Sequence, residues 1–208
     1  MKKNEIIEKI GETKIIPVIR TDSADKARII VEALINGGID VLEVTMTIPG
    51  AVELIARLSD EYKNSAVVIG AGTVLDAETA RNCIEAGAKF VVSPFLNVEI
   101  ISFCNRNEIA VMPGALTPTE IFTARQVGAD MVKVFPVSAM GGASYVKAVK
   151  TVFPQINIVP TGGISLDSAV DYIKAGASAV GIGGELTGVE ESIITKQARN
   201  LLDRIKSN

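Results

Sequence analysis

Short runs of β-branched and aliphatic residues alternate along this chain with longer stretches whose apolar positions recur at helical spacing. The strand-like runs cover residues 15–20, 41–46, 67–71, 90–93, 110–113, 131–135, 156–161 and 179–182. The helix-like stretches cover residues 24–35, 51–58, 77–86, 98–106, 118–127, 144–152, 168–175 and 190–205. Ser23 and Asp76 stand where N-caps are expected, and Gly37, Gly87, Gly128 and Gly176 where helices stop. Thr117-Pro118-Thr119-Glu120 supplies a cap, a first-turn proline and an acid at the third helical position. Strands that alternate with helices in this way predict an α/β fold with a parallel sheet, and a count of eight favours a closed (β/α)8 TIM barrel. A doubly wound open sheet is the alternative, because alternation alone does not prove closure. An amphipathic stretch at residues 2–11 predicts an extra N-terminal helix covering the barrel bottom. No linker divides the chain, so residues 1–208 are expected to form a single domain.

Two charges break the apolar pattern. Lys133 lies within Met131-Val132-Lys133-Val134-Phe135-Pro136, and Glu43 within Val41-Leu42-Glu43-Val44-Thr45-Met46. Strand alternation sets Met131, Lys133 and Phe135 on one face and Val132 and Val134 on the other. An ammonium in such a run is costly unless paired or discharged, and burial favours the neutral amine, which can attack a ketone. A buried lysine with a buried acid points to Schiff-base chemistry with an acid/base partner. The plainer alternative is a structural ion pair. Arg20, Glu43, Thr73, Pro94, Lys133 and Thr161 all fall at or just beyond strand ends, where barrel active sites are built, and this favours the catalytic reading.

Composition removes several competing chemistries. The chain has 208 residues and no histidine, which excludes Ser-His-Asp and Cys-His nucleophile systems and His-based zinc sites. A net charge of −3, 4% aromatics and no tryptophan argue against a nucleic-acid surface. Cys83 and Cys104 lack metal-ligand spacing and read as reduced packing residues, which implies a cytoplasmic location. The first ten residues lack the apolar core of a signal peptide, and no stretch approaches a membrane span.

These residues bring a family into view. The chain resembles the bacterial 2-keto-3-deoxy-6-phosphogluconate (KDPG) / 4-hydroxy-2-oxoglutarate (KHG) aldolases, class I pyruvate aldolases of the (β/α)8 fold. The markers are Pro17-Val18-Ile19-Arg20, Leu42-Glu43-Val44-Thr45, Gly70-Ala71-Gly72-Thr73-Val74, Val92-Ser93-Pro94, Met112-Pro113-Gly114, Lys133-Val134-Phe135-Pro136 and Pro160-Thr161-Gly162-Gly163-Ile164. The resemblance implies that Lys133 forms the Schiff base and that Glu43 is the acid/base residue. It also implies that Arg20, Thr73 and the Gly72 backbone hold the pyruvyl carboxylate, while Pro94, Phe135 and Thr161 line the pocket. No metal or other cofactor is implied, the partner is a small 2-keto acid, and the assembly is a homotrimer.

Two departures from the family pattern bear on specificity. Several members carry an arginine soon after Glu-Val-Thr, where this chain has Thr47-Ile48-Pro49, so carboxylate recognition is expected to rest on Arg20. At Gly181-Ile182-Gly183-Gly184-Glu185-Leu186, Glu185 falls where members commonly place a phosphate-binding serine. Gly162, Gly163, Gly183 and Gly184 can offer backbone amides to a phosphate, although tight strand-to-helix turns need glycine anyway. The expected substrate is therefore KDPG, with KHG as a further possibility and a non-phosphorylated or galactonate-type 2-keto acid as the alternative. From other classes stand a phosphate-barrel isomerase or decarboxylase and a non-catalytic binding barrel. The first is disfavoured because Asp130 and Lys133 fall on opposite strand faces, the second because both Lys133 and Glu43 are present.

Overall fold

Strands and helices alternate through the computed structural model, which describes residues 1–207. Helix α1 (Lys3–Thr13) precedes β1 (Ile15–Ile19), α2 (Ala24–Asn36), β2 (Val41–Thr45), α3 (Ala51–Glu61), β3 (Val68–Gly72), α4 (Ala77–Glu85) and β4 (Phe90–Val92). Then come α5 (Val98–Arg106), β5 (Ala110–Met112), β6 (Gly114–Ala115), α6 (Pro118–Gln126), β7 (Val132–Val134), α7 (Ala143–Val152) and β8 (Ile158–Pro160). The chain closes with α8 (Ala169–Lys174), β9 (Val180–Ile182), α9 (Gly184–Thr187) and α10 (Glu191–Lys206). The strand pairs run parallel in two sheets, one ordered β5-β4-β3-β2-β1-β9 and the other β6-β7-β8. This is an α/β fold with a curled parallel sheet, as the pattern predicts.

Local chemistry explains most boundaries. Ser23 accepts a hydrogen bond from the Lys26 amide and Asp76 from the Thr79 amide, so both N-caps stand as expected. Thr117 and Glu120 form the reciprocal capping box. One stop shifts: Gly37 is right-handed at φ −79°, and Gly38 takes the left-handed turn at φ +93°. Gly37 is instead demanded by packing, since a Cβ there would lie 2.5 Å from Ala198 Cβ on α10. The expected strand at 110–113 splits, because Pro113 has no N–H to continue the ladder and only its carbonyl is used, accepting from the Lys133 amide at 2.9 Å. A short 3-10 turn at Val137–Met140 and helix α9 are additions that periodicity did not predict.

Strand parity divides the core in two. Ile15, Ile19, Leu42, Val44, Val132 and Val134 pack outward against the helices. Ile16, Val41, Val68, Phe90, Met112, Met131 and Val159 point the other way and form a second buried cluster with Ile6 and Ile10 of α1. Burying a ring such as Phe90 contributes about 2–3 kcal/mol. Met131 and Val41 each lie two residues before a charge, so this apolar plug ends directly beneath Lys133 and Glu43.

Candidate active site

Lys133 sits at the centre of β7 with only 5% of its surface exposed, and Glu43 at the centre of β2 with 3%. Both point inward, as strand alternation requires. Lys133 Nζ lies 3.9 Å from Glu43 Oε1, beyond hydrogen-bonding distance, and 5.2 Å from the centroid of the Phe135 ring. Glu43 Oε1 is buried without a hydrogen-bond partner among the described residues. Burial pushes the Glu43 carboxyl above the usual carboxylate range, and the positive charges of Lys133 and Arg20 only partly oppose this. A carboxyl in that condition can hold a proton or take one with little reorganisation.

Room for that carboxylate comes from the neighbouring strand. Gly72 pairs with Thr45, and a Cβ built on it would lie 2.0 Å from Glu43 Oε1. Any larger residue at Gly72 would displace the acid. This is a demand on Gly72 that the sequence reading, which assigned its backbone to the substrate, did not contain.

Lys133 opens into a cavity of about 440 Å3 at the C-terminal ends of the strands. Arg20, Thr73, Pro94, Phe135, Thr161, Gly162, Gly163, Gly183 and Gly184 all line it, together with Glu185. Of the expected site residues, Glu43 and Gly72 are not in the wall: they sit behind Lys133 on β2 and β3. Thr73 holds its position in the left-handed region at φ +57°, where it turns the chain off β3 toward the cavity. Gly162 and Gly163 are also left-handed, at φ +94° and +73°, a turn that side chains resist. Val18, Ile164, Gly181, Thr187 and Gly188 complete the wall and were missed by the sequence reading. Val18 was within reach, since its parity with Arg20 was already evident.

A concavity of about 540 Å3 lies at the opposite strand ends, lined by residues such as Ile6, Ser59, Tyr62, Val67 and Lys89. It is larger, but no lysine–acid pair of the inward set reaches it. Asp130 is drawn to that end too, ion-paired to Lys3 at 2.9 Å and accepting from the Val111 amide. It does not pair with Lys133, and so does not supply the aspartate–lysine pairing that an isomerase or decarboxylase reading would use. Among the described residues no group of three or more His, Cys, Asp or Glu side chains is placed to hold a metal ion. Cys83 and Cys104 are free and buried, with burial raising their thiols to about 11 and about 12. No described helix is long and apolar enough to cross a membrane.

The model of one protein family, KDPG and KHG aldolase, matches residues 6–205. The chain belongs to that aldolase family. It is 36% identical over 168 residues to the 2-dehydro-3-deoxy-phosphogluconate aldolase of Treponema pallidum, covering 81% of this chain and 79% of the relative. It is 33% identical over 199 residues to the KHG/KDPG aldolase of Escherichia coli, covering 92% of each. Among solved structures it superposes on the KDPG aldolase of Legionella pneumophila with a TM-score of 0.86 and 30% identity, over 97% of this chain and 98% of that one. In that crystal structure pyruvate is captured as a covalent carbinolamine intermediate.

Proposed function

We propose that this chain is a metal-independent class I aldolase that cleaves KDPG to pyruvate and glyceraldehyde 3-phosphate, and that it also accepts KHG, giving pyruvate and glyoxylate. One observation carries the proposal: a nearly buried lysine amine opens into the cavity at the strand ends, 3.9 Å from a carboxylate oxygen that has no hydrogen-bond partner among the described residues. Lys133 Nζ attacks the keto carbon C2, and loss of water from the carbinolamine gives the imine. The imine serves as electron sink, so no metal is needed to polarise the carbonyl. Glu43 takes the proton of the C4 hydroxyl as the C3–C4 bond breaks and its electrons flow to nitrogen. After the aldehyde leaves, the same carboxyl returns a proton to the enamine carbon, and hydrolysis frees pyruvate and the amine.

Arg20 is positioned at the cavity wall to grip the pyruvyl carboxylate through its planar guanidinium, with Thr73 and the Gly72 backbone beside it. Pro94, Phe135 and Thr161 shape the pocket around the imine. The amides of Gly162, Gly163, Gly183 and Gly184 form the distal end, where a phosphate would sit. Glu185 lines the same end, and its negative charge favours a second reading, an aldolase for a non-phosphorylated 2-keto acid.

The working unit in this proposal is a single domain whose two sheets close into one (β/α)8 barrel. Its support is the Thr161–Gly181 bridge between β8 and β9, with the bonds from the Asp130 amide to the Val111 carbonyl and from the Lys133 amide to Pro113. Helix α1 then caps the barrel bottom through Ile6 and Ile10. A homotrimeric assembly rests on the family resemblance, and a cytoplasmic location on the reading of the free, buried Cys83 and Cys104 as reduced packing residues.

The deciding experiment is borohydride trapping with pyruvate, read by peptide mass. It should add a pyruvyl-derived mass to Lys133; label on any other lysine would overturn the assignment. The two substrate readings separate on kcat/KM for KDPG against its dephosphorylated form. A phosphate preference above about tenfold, roughly 1.4 kcal/mol, supports the first, and equal values support the second.

A further inference from the structure

Thr45 is fully buried, points into the barrel interior two residues after Glu43, and belongs to neither the cavity wall nor the apolar plug. Its hydroxyl donates to the carbonyl of Ile19 at 2.8 Å. A second hydroxyl, that of Thr47, lies 2.7 Å away. Because Thr45 has a single hydroxyl hydrogen and the Ile19 carbonyl takes it, Thr47 is the donor in that second bond. The result is a two-link chain running from Thr47 to Thr45 to the Ile19 carbonyl, in which each bond polarises the next.

The location gives this chain a consequence. Strands β1 and β2 pair at Val18–Glu43 and Ile19–Val44, while alternate amides of β2 serve β3, as that of Met46 does by donating to Gly72. At the top of the β1–β2 seam, where this pairing ends, a side chain therefore adds a bond to the backbone ladder. The carbonyl it holds belongs to the peptide plane that also contains the nitrogen of Arg20. Fixing that plane fixes the direction in which the Arg20 side chain leaves the strand.

We propose that Thr45 is a positioning residue: its hydroxyl holds the Ile19–Arg20 peptide so that Arg20 meets the substrate carboxylate, with Thr47 reinforcing it. The proposal rests on the reading of Arg20 as carboxylate anchor. It explains how one cation near a strand end, on an exposed side chain, can be held well enough to act alone. Displacing a bidentate partner by about 1 Å lowers productive capture severalfold.

The test compares Thr45→Val, which keeps the shape and removes the donor, with Thr45→Ser, which keeps the donor. Two quantities are read: the pyruvate concentration giving half-maximal borohydride trapping, and kcat for retro-aldol cleavage. Thr45→Val should raise the first about tenfold and change kcat less than about threefold, while Thr45→Ser stays within about twofold of wild type in both. The double variant Arg20→Ala/Thr45→Val should capture pyruvate no worse than Arg20→Ala, because Thr45 acts through Arg20. Unchanged capture in Thr45→Val, or additive losses in the double variant, would overturn the proposal. If Arg20→Ala itself captures pyruvate normally, the anchor reading fails instead. Should thermal melting show Thr45→Val unfolded, Thr45→Cys, similar in size and a poor donor, carries the same comparison.

Discussion

Lysine–carboxylate pairs lie toward both ends of the same set of strands, and they are built differently. At the N-terminal end Lys3 Nζ meets Asp130 Oδ2 at 2.9 Å and also donates to Asn105 at 2.6 Å, while Asp130 accepts from the Val111 amide. Lys9 and Asp40 repeat the pattern at 2.5 Å, with Thr13 as an additional donor to Asp40. Toward the other end Lys133 and Glu43 are more deeply buried, yet stand 3.9 Å apart with one carboxylate oxygen unpartnered among the described residues. A pair whose purpose is to hold strands together saturates its hydrogen bonds, since unpaired buried charge is costly. The Lys133–Glu43 pair is left unsaturated where a substrate can complete it. That contrast weighs against the structural ion pair that the sequence left open as an alternative.

The strongest way to break the contrast is Lys133→Met. We expect activity to fall by at least about a thousandfold, with no pyruvate trapped, and stability to the denaturant urea to stay equal or rise, because Glu43, already pushed up by burial, takes a proton once the opposing Lys133 charge is gone. A loss of both activity and stability would place Lys133 with the structural pairs.

Glu43→Gln should lower kcat by about 100- to 10,000-fold while the protein still folds. Its stability carries a pH signature. The folded-state carboxyl titrates above its ordinary value of 4.5, so between that value and the raised one the folded chain holds a proton that the unfolded chain has lost. Wild-type stability therefore falls as pH rises through that window, and Glu43→Gln, which cannot titrate, does not share the fall. The difference in Tm between variant and wild type should grow from about pH 4.5 upward and then level off. A difference independent of pH would contradict the raised carboxyl.

The converse test is at the bottom. Lys3→Met strands Asp130 and should cost about 1–2 kcal/mol in urea unfolding, with kcat and KM within twofold of wild type. Smallest is Glu185→Ser at the cavity's distal end. If the carboxylate faces the substrate, preference for the phosphorylated form should rise about three- to tenfold. No change in that ratio would mean Glu185 points to solvent.

Much of this arrangement was readable from residue order, because the two periodicities are strong. Strand parity alone set Lys133 with Met131 and Glu43 with Val41, and the structure keeps both assignments. Capping chemistry at Ser23, Asp76 and Thr117 located helix starts to the residue. What escaped depends on three-dimensional proximity. Periodicity cannot register a four-residue helix such as α9, so Thr187 and Gly188 were not expected in the cavity wall. Gly72 is spaced like any turn glycine, and only the approach of Glu43 from the neighbouring strand reveals why no Cβ fits. The Thr45 hydroxyl is invisible to pattern for the same reason, its partner lying 26 residues earlier.

The plug of Ile6, Ile10, Phe90, Met112 and Met131 beneath the reacting groups has a consequence for traffic. In the closed barrel proposed above, hydrocarbon on that side would leave the chamber a cup with a single mouth. Solvent protons must come and go by the route that substrate and products use. In the proposed mechanism a lingering aldehyde would cork the enamine below it, so the carbon awaiting a proton would meet Glu43 and whatever water is trapped inside. Deuterium from bulk solvent should then enter pyruvate more slowly when aldehyde is present than when pyruvate is alone, and the geometry of the cup, rather than any moving lid, would set the order in which the products leave.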